Sequence, residues 1–262
     1  MNIPIDWAIP QMTAFLLVVS RLSGLFLLAP VFSSQMIPMR IKVMALLVLS
    51  AAMTPLVTAE QQAFLPTDAI SLMVLIGKET VIGLAMGFAV SMVFSAVQVG
   101  ASLIDTSIGF SLANIIDPLN SSHSSVFGSF YTMVATLSFL AINGHQYMLL
   151  GFKKSFDIIP ITGMPKFTAI FSNVIEIFGQ LFLIAFQIAA PVLVTLLLVD
   201  IVLGIVSRVV PQMNVFFVGI PLKIGVGLGA VIIALPAFVS FFEHRLSDIV
   251  TGASVLAKAA GT

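Results

Sequence analysis

The sequence predicts an all-α protein of the integral membrane type, and three observations support that prediction. Of the 262 residues, 59% are hydrophobic and only 8% are charged, whereas about a quarter of the residues in an ordinary soluble domain are charged. Uncharged apolar runs recur along the chain, near the roughly 20 residues that a helix needs to cross a bilayer. Prolines divide these runs, so kinked helices are expected.

Six apolar regions are the candidate helices. In chain order they are Trp7 to Phe32, Ile41 to Ala59, Ile70 to Ile104, Val126 to Phe152, Thr168 to Val199 and Met213 to Phe242. The third, with 35 residues, is too long for one straight span. Because Gly77, Lys78 and Glu79 interrupt it, we expect a bent or split helix there. Pro191 and Pro236 lie inside the fifth and sixth regions and are expected to kink them.

Loop charges orient the chain in the membrane. Arg40 and Lys42 follow the first region, and the positive-inside rule places that turn in the cytoplasm. Applied to the other loops, the same rule makes the third region begin and end on the outer side. A regular helix bundle does not accommodate this, so we expect a protein that fits neighbouring subunits rather than lipid. One membrane domain over residues 1–262 is the simplest interpretation.

Charged residues within or beside the apolar regions form the first candidate site. Each would cost about 2.5–3.5 kcal/mol at the centre of a bilayer, so each requires a counter-charge or water. They are Arg21, Lys78, Glu79, Glu176, Asp200 and Lys223. Lys78 and Glu79 are adjacent and point to different sides of a helix, so their partners are expected elsewhere, including in other subunits. Alternatively, Lys78, Asp200 and Lys223 lie at helix ends and extend to the membrane interface.

Glycines at helical spacing form the second candidate site, a surface for close helix packing. Gly83 and Gly87 make a G-x-x-x-G pair, and Gly225, Gly227 and Gly229 make another small-residue face. Such spacing lets two backbones approach until van der Waals contact replaces the missing hydrophobic drive. The partner helix belongs either to another subunit or to the same chain. Alternatively, the glycines only reflect how frequent glycine is in membrane helices.

Enzyme chemistry has little support in the sequence. Because the chain has no cysteine, disulfides, thiol catalysis and cysteine metal sites are excluded. The three histidines are too scattered for a metal site, no nucleotide-binding P-loop occurs, and no cofactor is expected. Balanced charges argue against nucleic-acid binding. The stretch from Gly109 to Ala113 resembles a nucleophile elbow without its last glycine, so an intramembrane hydrolase using Ser111 is one alternative.

A polar segment from Asp105 to Ser125 separates the third and fourth regions. Lipid cannot satisfy the free N–H and C=O groups of an irregular segment, so it must lie in water, in protein or along an aqueous path. The stretch S-I-G-F-S-L-A-N-I-I-D-P at 107–118, N-G-H at 143–145 and P-Q-M-N-V-F-F-V-G-I-P-L-K-I at 211–224 together resemble the FliR/SctT family of type III export proteins. The last motif resembles the flagellar branch of that family.

The resemblance implies a structural subunit of the flagellar export gate. In such a gate one FliR copy assembles with several copies of FliP and FliQ, with FlhB and FlhA nearby, in the bacterial inner membrane at the flagellar basal body. Kinked helical hairpins pack in a helical spiral with these homologous partners, and unfolded flagellar subunits pass through the pore. A FliP-like part over 1–165, a FliQ-like part over 166–250 and a short tail over 243–262 are implied.

The resemblance also implies a plug inside the pore. A G-F-x-x-x-x-x-x-D-P pattern begins where glycine permits a sharp turn and ends where proline stiffens the exit. The implied plug residues are Gly109, Phe110, Ser111, Leu112, Ala113, Asn114, Ile115, Ile116, Asp117 and Pro118. An ordinary external loop is the alternative for this segment. A secondary solute transporter of the inner membrane is the alternative for the whole chain, because transporters also use broken helices and intramembrane charges.

Overall fold

Apolar regions of the sequence fold into helices throughout the computed structural model, which describes residues 5–34, 37–57, 65–66, 68–110, 125–212 and 214–250. The helices are α1 (Ile5–Leu28), α2 (Pro30–Ser33), α3 (Met39–Met53), α4 (Ala69–Ile108), α5 (Val126–Ala141), α6 (Gly144–Ile158), α7 (Phe167–Val209) and α8 (Val215–Val250), and a 3₁₀ turn, Thr54–Leu56, follows α3. None of these ranges contains a strand, and the all-α prediction is confirmed.

Local residue chemistry sets several helix ends. Pro30 opens α2 and Pro38 precedes α3, because the fixed φ of proline suits a first helical turn, where no N–H is needed. Asp68 precedes α4 and accepts a 2.9 Å hydrogen bond from the Ser71 backbone N–H. Hydrogen bonds from the hydroxyl and backbone of Ser71 hold the pKa of Asp68 below its usual value. Asn143, at φ 57°, separates α5 from α6, so the fourth apolar region is two helices.

The third apolar region forms one continuous helix. α4 runs for 40 residues without a break, so of the bend or split expected at Gly77, Lys78 and Glu79, the split is absent. The two charged side chains are buried and bound by other parts of the chain, which leaves the backbone hydrogen bonds of the helix intact. Pro191 and Pro236 likewise lie within α7 and α8 and do not end them.

Four helices are long and apolar enough to cross a membrane. They are Ile9–Leu28, Ala69–Ile108, Phe167–Val209 and Phe217–Leu246, and the interrupted pair of α5 and α6 qualifies as a fifth when taken together. The second apolar region falls short, because α3 has 15 residues and a crossing needs at least about 17. The described residues therefore provide fewer spans than the sequence has apolar regions.

The chain divides into two compact units that alternate along the sequence. Unit 1 comprises Met1–Met92, Asn143–Phe178 and Leu246–Thr262, and unit 2 comprises Val93–Ile142 and Gly179–Arg245. The separate division into a FliP-like part over 1–165 and a FliQ-like part over 166–250 stays a prediction, because it concerns likeness to other subunits.

Each unit has its own apolar core. In unit 1, Ile82 of α4 packs with Ile159 and Ile170. In unit 2 the core is aromatic, and its ring centroids are 5.4 Å apart for Phe94 and Phe242. Edge-to-face pairs at such distances contribute about 0.5–1.5 kcal/mol beyond the area that they bury.

α1 and α4 approach closely at glycines in unit 1. A Cβ on Gly83 would lie 1.9 Å from the Arg21 carbonyl oxygen, and one on Gly87 would lie 2.8 Å from the Leu25 carbonyl oxygen. Gly24 of α1 meets the α4 backbone equally closely. Only glycine lets two helix backbones come so near. The helix that packs on Gly83 and Gly87 is therefore one of the same chain.

The glycines of α8 differ from one another. A Cβ on Gly225 or Gly229 would meet no atom of the described chain within 4 Å, whereas one on Gly227 would lie 2.7 Å from Ile108 Cγ1. Residues two apart on a helix do not share a face. Gly227 therefore packs inside unit 2, while Gly225 and Gly229 stay open on another side of α8, and the predicted single face is two faces.

Replacing Gly83 by alanine should destabilise the chain by about 1–3 kcal/mol, the range for an overpacked core, because the new methyl group meets backbone rather than a flexible side chain. Thermal unfolding of the purified chain in detergent measures the effect. Gly77 is the matched control in the same helix, since a Cβ there meets nothing within 4 Å. Gly77→Ala should be neutral or stabilise the helix by up to about 1 kcal/mol. Equal melting temperatures for the two variants would disprove the close contact.

Candidate functional site

The structure sorts the predicted membrane charges into three places. Arg21, Lys78 and Glu79 meet in unit 1. Two others pair with each other in unit 2, and Glu176 is exposed on α7. We call the unit 1 group, which includes the protein groups that bind it, the charged cluster.

Arg21 is the centre of the charged cluster. It lies on α1 and is fully buried, and its Nε donates to Glu79 Oε2. The other two guanidinium nitrogens donate to Ser155 Oγ at 2.9 Å and to the Ile159 carbonyl oxygen at 3.0 Å. The guanidinium also lies 4.0 Å from the ring centroid of Phe156, within reach of a cation–π attraction. Arg21 thus binds α1 to α4 and to the end of α6.

Lys78 completes the cluster on the α4 side. Its Nζ donates to the carbonyl oxygens of Ile161 and Gly163, the second at 3.0 Å. It also lies 3.1 Å from Glu79 Oε1, an ion-pair contact without hydrogen-bond geometry. Their main partners lie elsewhere in the chain, as predicted, since Glu79 binds Arg21 and Lys78 binds two backbone carbonyls. The two neighbours also contact each other, because the four-carbon stem of lysine can bend back along the helix. Lys78 is 4% exposed, so the alternative that it extends to the interface is wrong.

The composition of the cluster dictates its role. Two cations share the single carboxylate of Glu79, and the remaining acceptors are Ser155 Oγ and the backbone carbonyls of Ile159, Ile161 and Gly163. Charges taken out of water cost several kcal/mol each unless partners of good geometry surround them. The arrangement can hold three chain segments together.

The second pair lines a cleft in unit 2. Lys223 Nζ lies 2.5 Å from Asp200 Oδ1, and the two side chains are 24% and 49% exposed. Gly109 and Ser207 line the same cleft, whose volume is about 500 Å³. Because the pair is partly exposed, it contributes little to stability. For these two residues the expected counter-charge is therefore the other member of the pair, within one chain.

The polar segment has a defined base in unit 2. α4 ends at Ile108, and the next residue, Gly109, has a φ of 105° in the region that favours glycine. Asp105, one turn earlier, accepts hydrogen bonds from the Ser125 hydroxyl and, at 3.2 Å, from the Phe127 backbone N–H. Since Ser125 is the N-cap of α5 and Phe127 lies in its first turn, this carboxylate joins the two ends of the segment and helps to cap the next helix.

Only the first two implied plug residues are visible at this base. Phe110 packs edge-on against Phe127, with ring centroids 5.9 Å apart. Residues 111–118, which include Ser111 of the hydrolase alternative, lie outside the described residues.

Comparison with known proteins shows to which family the chain belongs. The model of the family "Bacterial export proteins, family 1" matches residues 12–249. The chain belongs to this family. It is 39% identical over 228 residues to the flagellar biosynthetic protein FliR of Bacillus subtilis (strain 168), an alignment that covers 85% of this chain and 86% of that one. It is 29% identical to the flagellar biosynthetic protein FliR of Escherichia coli (strain K12) over 87% of each chain, and 28% identical to the Yop proteins translocation protein T of Yersinia pestis over 80% of each chain.

Membership confirms the functional class that the motifs predicted. This family 1 export protein is a membrane-embedded subunit of the flagellar export apparatus. Its role is structural rather than enzymatic, and the transporter alternative is not supported. Within the described residues, no group of three His, Cys, Asp or Glu side chains is placed to hold a metal ion.

Sequence reasoning found the charges of this export protein but missed their partners. Ser155 is an unremarkable serine, and Ile159, Ile161 and Gly163 take part through backbone carbonyls that any residue would offer. Asp105 was noticed only as the start of the polar segment. The sequence did contain a signal for the role of Asp105. A buried carboxylate needs hydrogen-bond donors, and serine, which stands at position 125, commonly caps the N-terminus of a helix.

Replacing Glu79 by glutamine should destabilise the chain by about 3–5 kcal/mol, because two buried cations then lose their common counter-ion. Membrane level and detergent melting temperature measure the loss. Arg21→Met should cost less, since Glu79 keeps Lys78 within 3.1 Å. The control is Asp157→Asn, an exposed carboxylate in the same unit, which should change little. If Glu79→Gln and Asp157→Asn have the same melting temperature, the charged cluster does not stabilise unit 1.

Proposed function

We propose that this export protein forms part of the wall of the flagellar protein-conducting pore, in the inner membrane at the basal body. In this proposal one copy packs in a helical spiral with several copies of FliP and FliQ, with FlhB and FlhA nearby, and unfolded flagellar subunits pass along the wall. The observation that carries the proposal is the apolar surface of α7, which is longer than a bilayer can cover.

The exposed surface of α7 is longer than a membrane is thick. Exposed apolar side chains extend from Phe171 to Val209, about 57 Å at 1.5 Å per residue. A hydrocarbon core of about 30 Å covers roughly 40 Å of a helix even when the helix tilts by about 40°. The remainder would face water unless other proteins cover it. Helical subunits that pack along α7 meet this requirement.

Burial within the chain is also uneven. In the most apolar window of α4, 56% of the residues are buried, compared with 28% for α7 and 22% for α8. On α8, Ile233 is 82% exposed. The open glycines Gly225 and Gly229 allow a partner helix to approach closely. We assign this face of α8 to contact with another subunit.

We further propose that residues 109–118 plug the pore. The base of the polar segment supports this role, because Asp105, where the segment begins, binds Ser125, where it ends, and Gly109 turns the chain out of α4. Phe110, Leu112, Ile115 and Ile116 provide apolar bulk that can exclude hydrated ions. A fixed base followed in the sequence by apolar residues suits a plug better than an ordinary external loop.

Deleting residues 110–116 tests the plug. The assembled gate should then leak ions, and cells should grow more slowly when the gate is expressed. A second variant keeps the loop length by replacing 110–116 with glycine and serine, and it should leak as well, because the apolar bulk is gone. Growth and membrane conductance are measured alongside the yield of the assembled complex. A complex that assembles in normal yield and stays as tight as the unaltered one would exclude the plug.

Gly225→Leu tests the assembly face. The open position leaves the chain itself folded, while a clash of about 1–3 kcal/mol at a subunit contact would weaken association roughly 5- to 150-fold. Co-purification of partner subunits after mild detergent extraction measures this. Gly227→Leu is the contrasting variant, since it clashes with Ile108 inside unit 2 and should lower the amount of the chain. Normal complex yield with Gly225→Leu would contradict the assignment.

A further inference from the structure

A cleft between α1 and α3 has features that neither the export role nor the charged cluster uses. Aromatic and aliphatic side chains line it, including Phe26, Phe32, Val43 and Leu46, and Lys42 is its one charged lining residue among those described. Phe26 and Phe32 stack with ring centroids 4.2 Å apart. The cleft therefore combines an apolar lining with a single cation.

The cation is available to a ligand. Within the described chain, no carboxylate forms an ion pair with Lys42 or with its neighbour Arg40. Both residues follow the start of α3 at Met39, and the first turn of that helix has no acidic residue. A helix N-terminus carries partial positive charge, which disfavours cations and favours anions. An anion bound at Lys42 would therefore supply the missing counter-charge and would also interact favourably with the N-terminus of α3.

The position of the cleft indicates the kind of anion. The membrane span of α1 ends at Leu28, and the cleft is built from that end, from α2 and from the first turns of α3. The end of a span lies where hydrocarbon meets lipid headgroups. The positive-inside rule places Arg40 and Lys42 in the cytoplasm, and the cytoplasmic leaflet carries the anionic lipids.

We propose that this cleft binds an anionic phospholipid, with part of one acyl chain against the apolar lining and the headgroup phosphate on Lys42. A volume of about 240 Å³ is below the roughly 300–1,000 Å³ of sites that enclose a whole ligand. It therefore suits one segment of an acyl chain rather than an entire lipid. Free phosphate would leave the apolar lining unfilled.

A photoreactive side chain at Leu27 tests the site. Leu27 lines the cleft and is 69% exposed, so a benzophenone amino acid there does not enter the core. The export complex carrying it is placed in bilayers of phosphatidylcholine with a trace of labelled phosphatidylglycerol or labelled phosphatidylcholine, and label on this chain is measured after illumination. Phosphatidylglycerol should label about five-fold more than phosphatidylcholine, the factor expected for one cation near an anionic lipid.

Variants separate this site from general attraction to the membrane. Lys42→Gln should abolish the preference, whereas Lys154→Gln, an exposed lysine on α6, should preserve it. Millimolar inorganic phosphate should not compete. Equal labelling by the two lipids, an unchanged preference in Lys42→Gln, or competition by free phosphate would each overturn the proposal. Because complex yield is measured in the same samples, failure here is distinguishable from failure of the export role.

Discussion

The buried carboxylate of Glu79 is the interaction on which unit 1 depends. It lies between the guanidinium of Arg21 and the ammonium of Lys78, and these cations also bind backbone carbonyls within 159–163. Desolvation of three charges is offset only when all the partners are present. Neither cation can take a substitute partner without leaving a buried group unpaired, so the end of α6 and the segment after it are fixed against α1 and α4.

Close helix packing and charge pairing occur at the same contact. Glu79, Gly83 and Gly87 follow one another at intervals of four and therefore share one face of α4. Arg21 meets that face twice, since its carbonyl oxygen contacts the glycine position at Gly83 and its side chain binds Glu79. The glycines let α1 approach, and the approach excludes water from the ion pair, which strengthens it. Because its charges are paired, α4 continues as one helix past Lys78 and Glu79.

The sequence supported the fold class and the residues of interest better than their connections. Apolar run length and composition predicted the helices, and the cost of membrane charges singled out Arg21, Lys78 and Glu79. Local spacing did not identify the groups that these charges bind, and it treats a charged pair as a possible helix break, whereas tertiary partners decide both outcomes. The glycines show the same limit: Gly83 and Gly225 look alike in sequence, yet only Gly83 has a backbone packed against it.

The glycines thus distinguish a completed part of the molecule, where helices pack closely against each other within the chain, from an uncompleted part, where helix surfaces stay open. Gly24 of α1 and Gly83 and Gly87 of α4 pack against the facing helix, whereas a Cβ on Gly179 or Gly204 of α7, or on Gly225 or Gly229 of α8, would meet no atom of the described chain within 4 Å. The charged cluster belongs to the completed part, whereas the apolar surface that is longer than a bilayer is thick belongs to α7. Stability of the chain and completeness of its assembly therefore depend on different residues. A chain can reach the membrane folded and still lack the neighbours that cover its longest helix, so the two kinds of defect are separable by experiment.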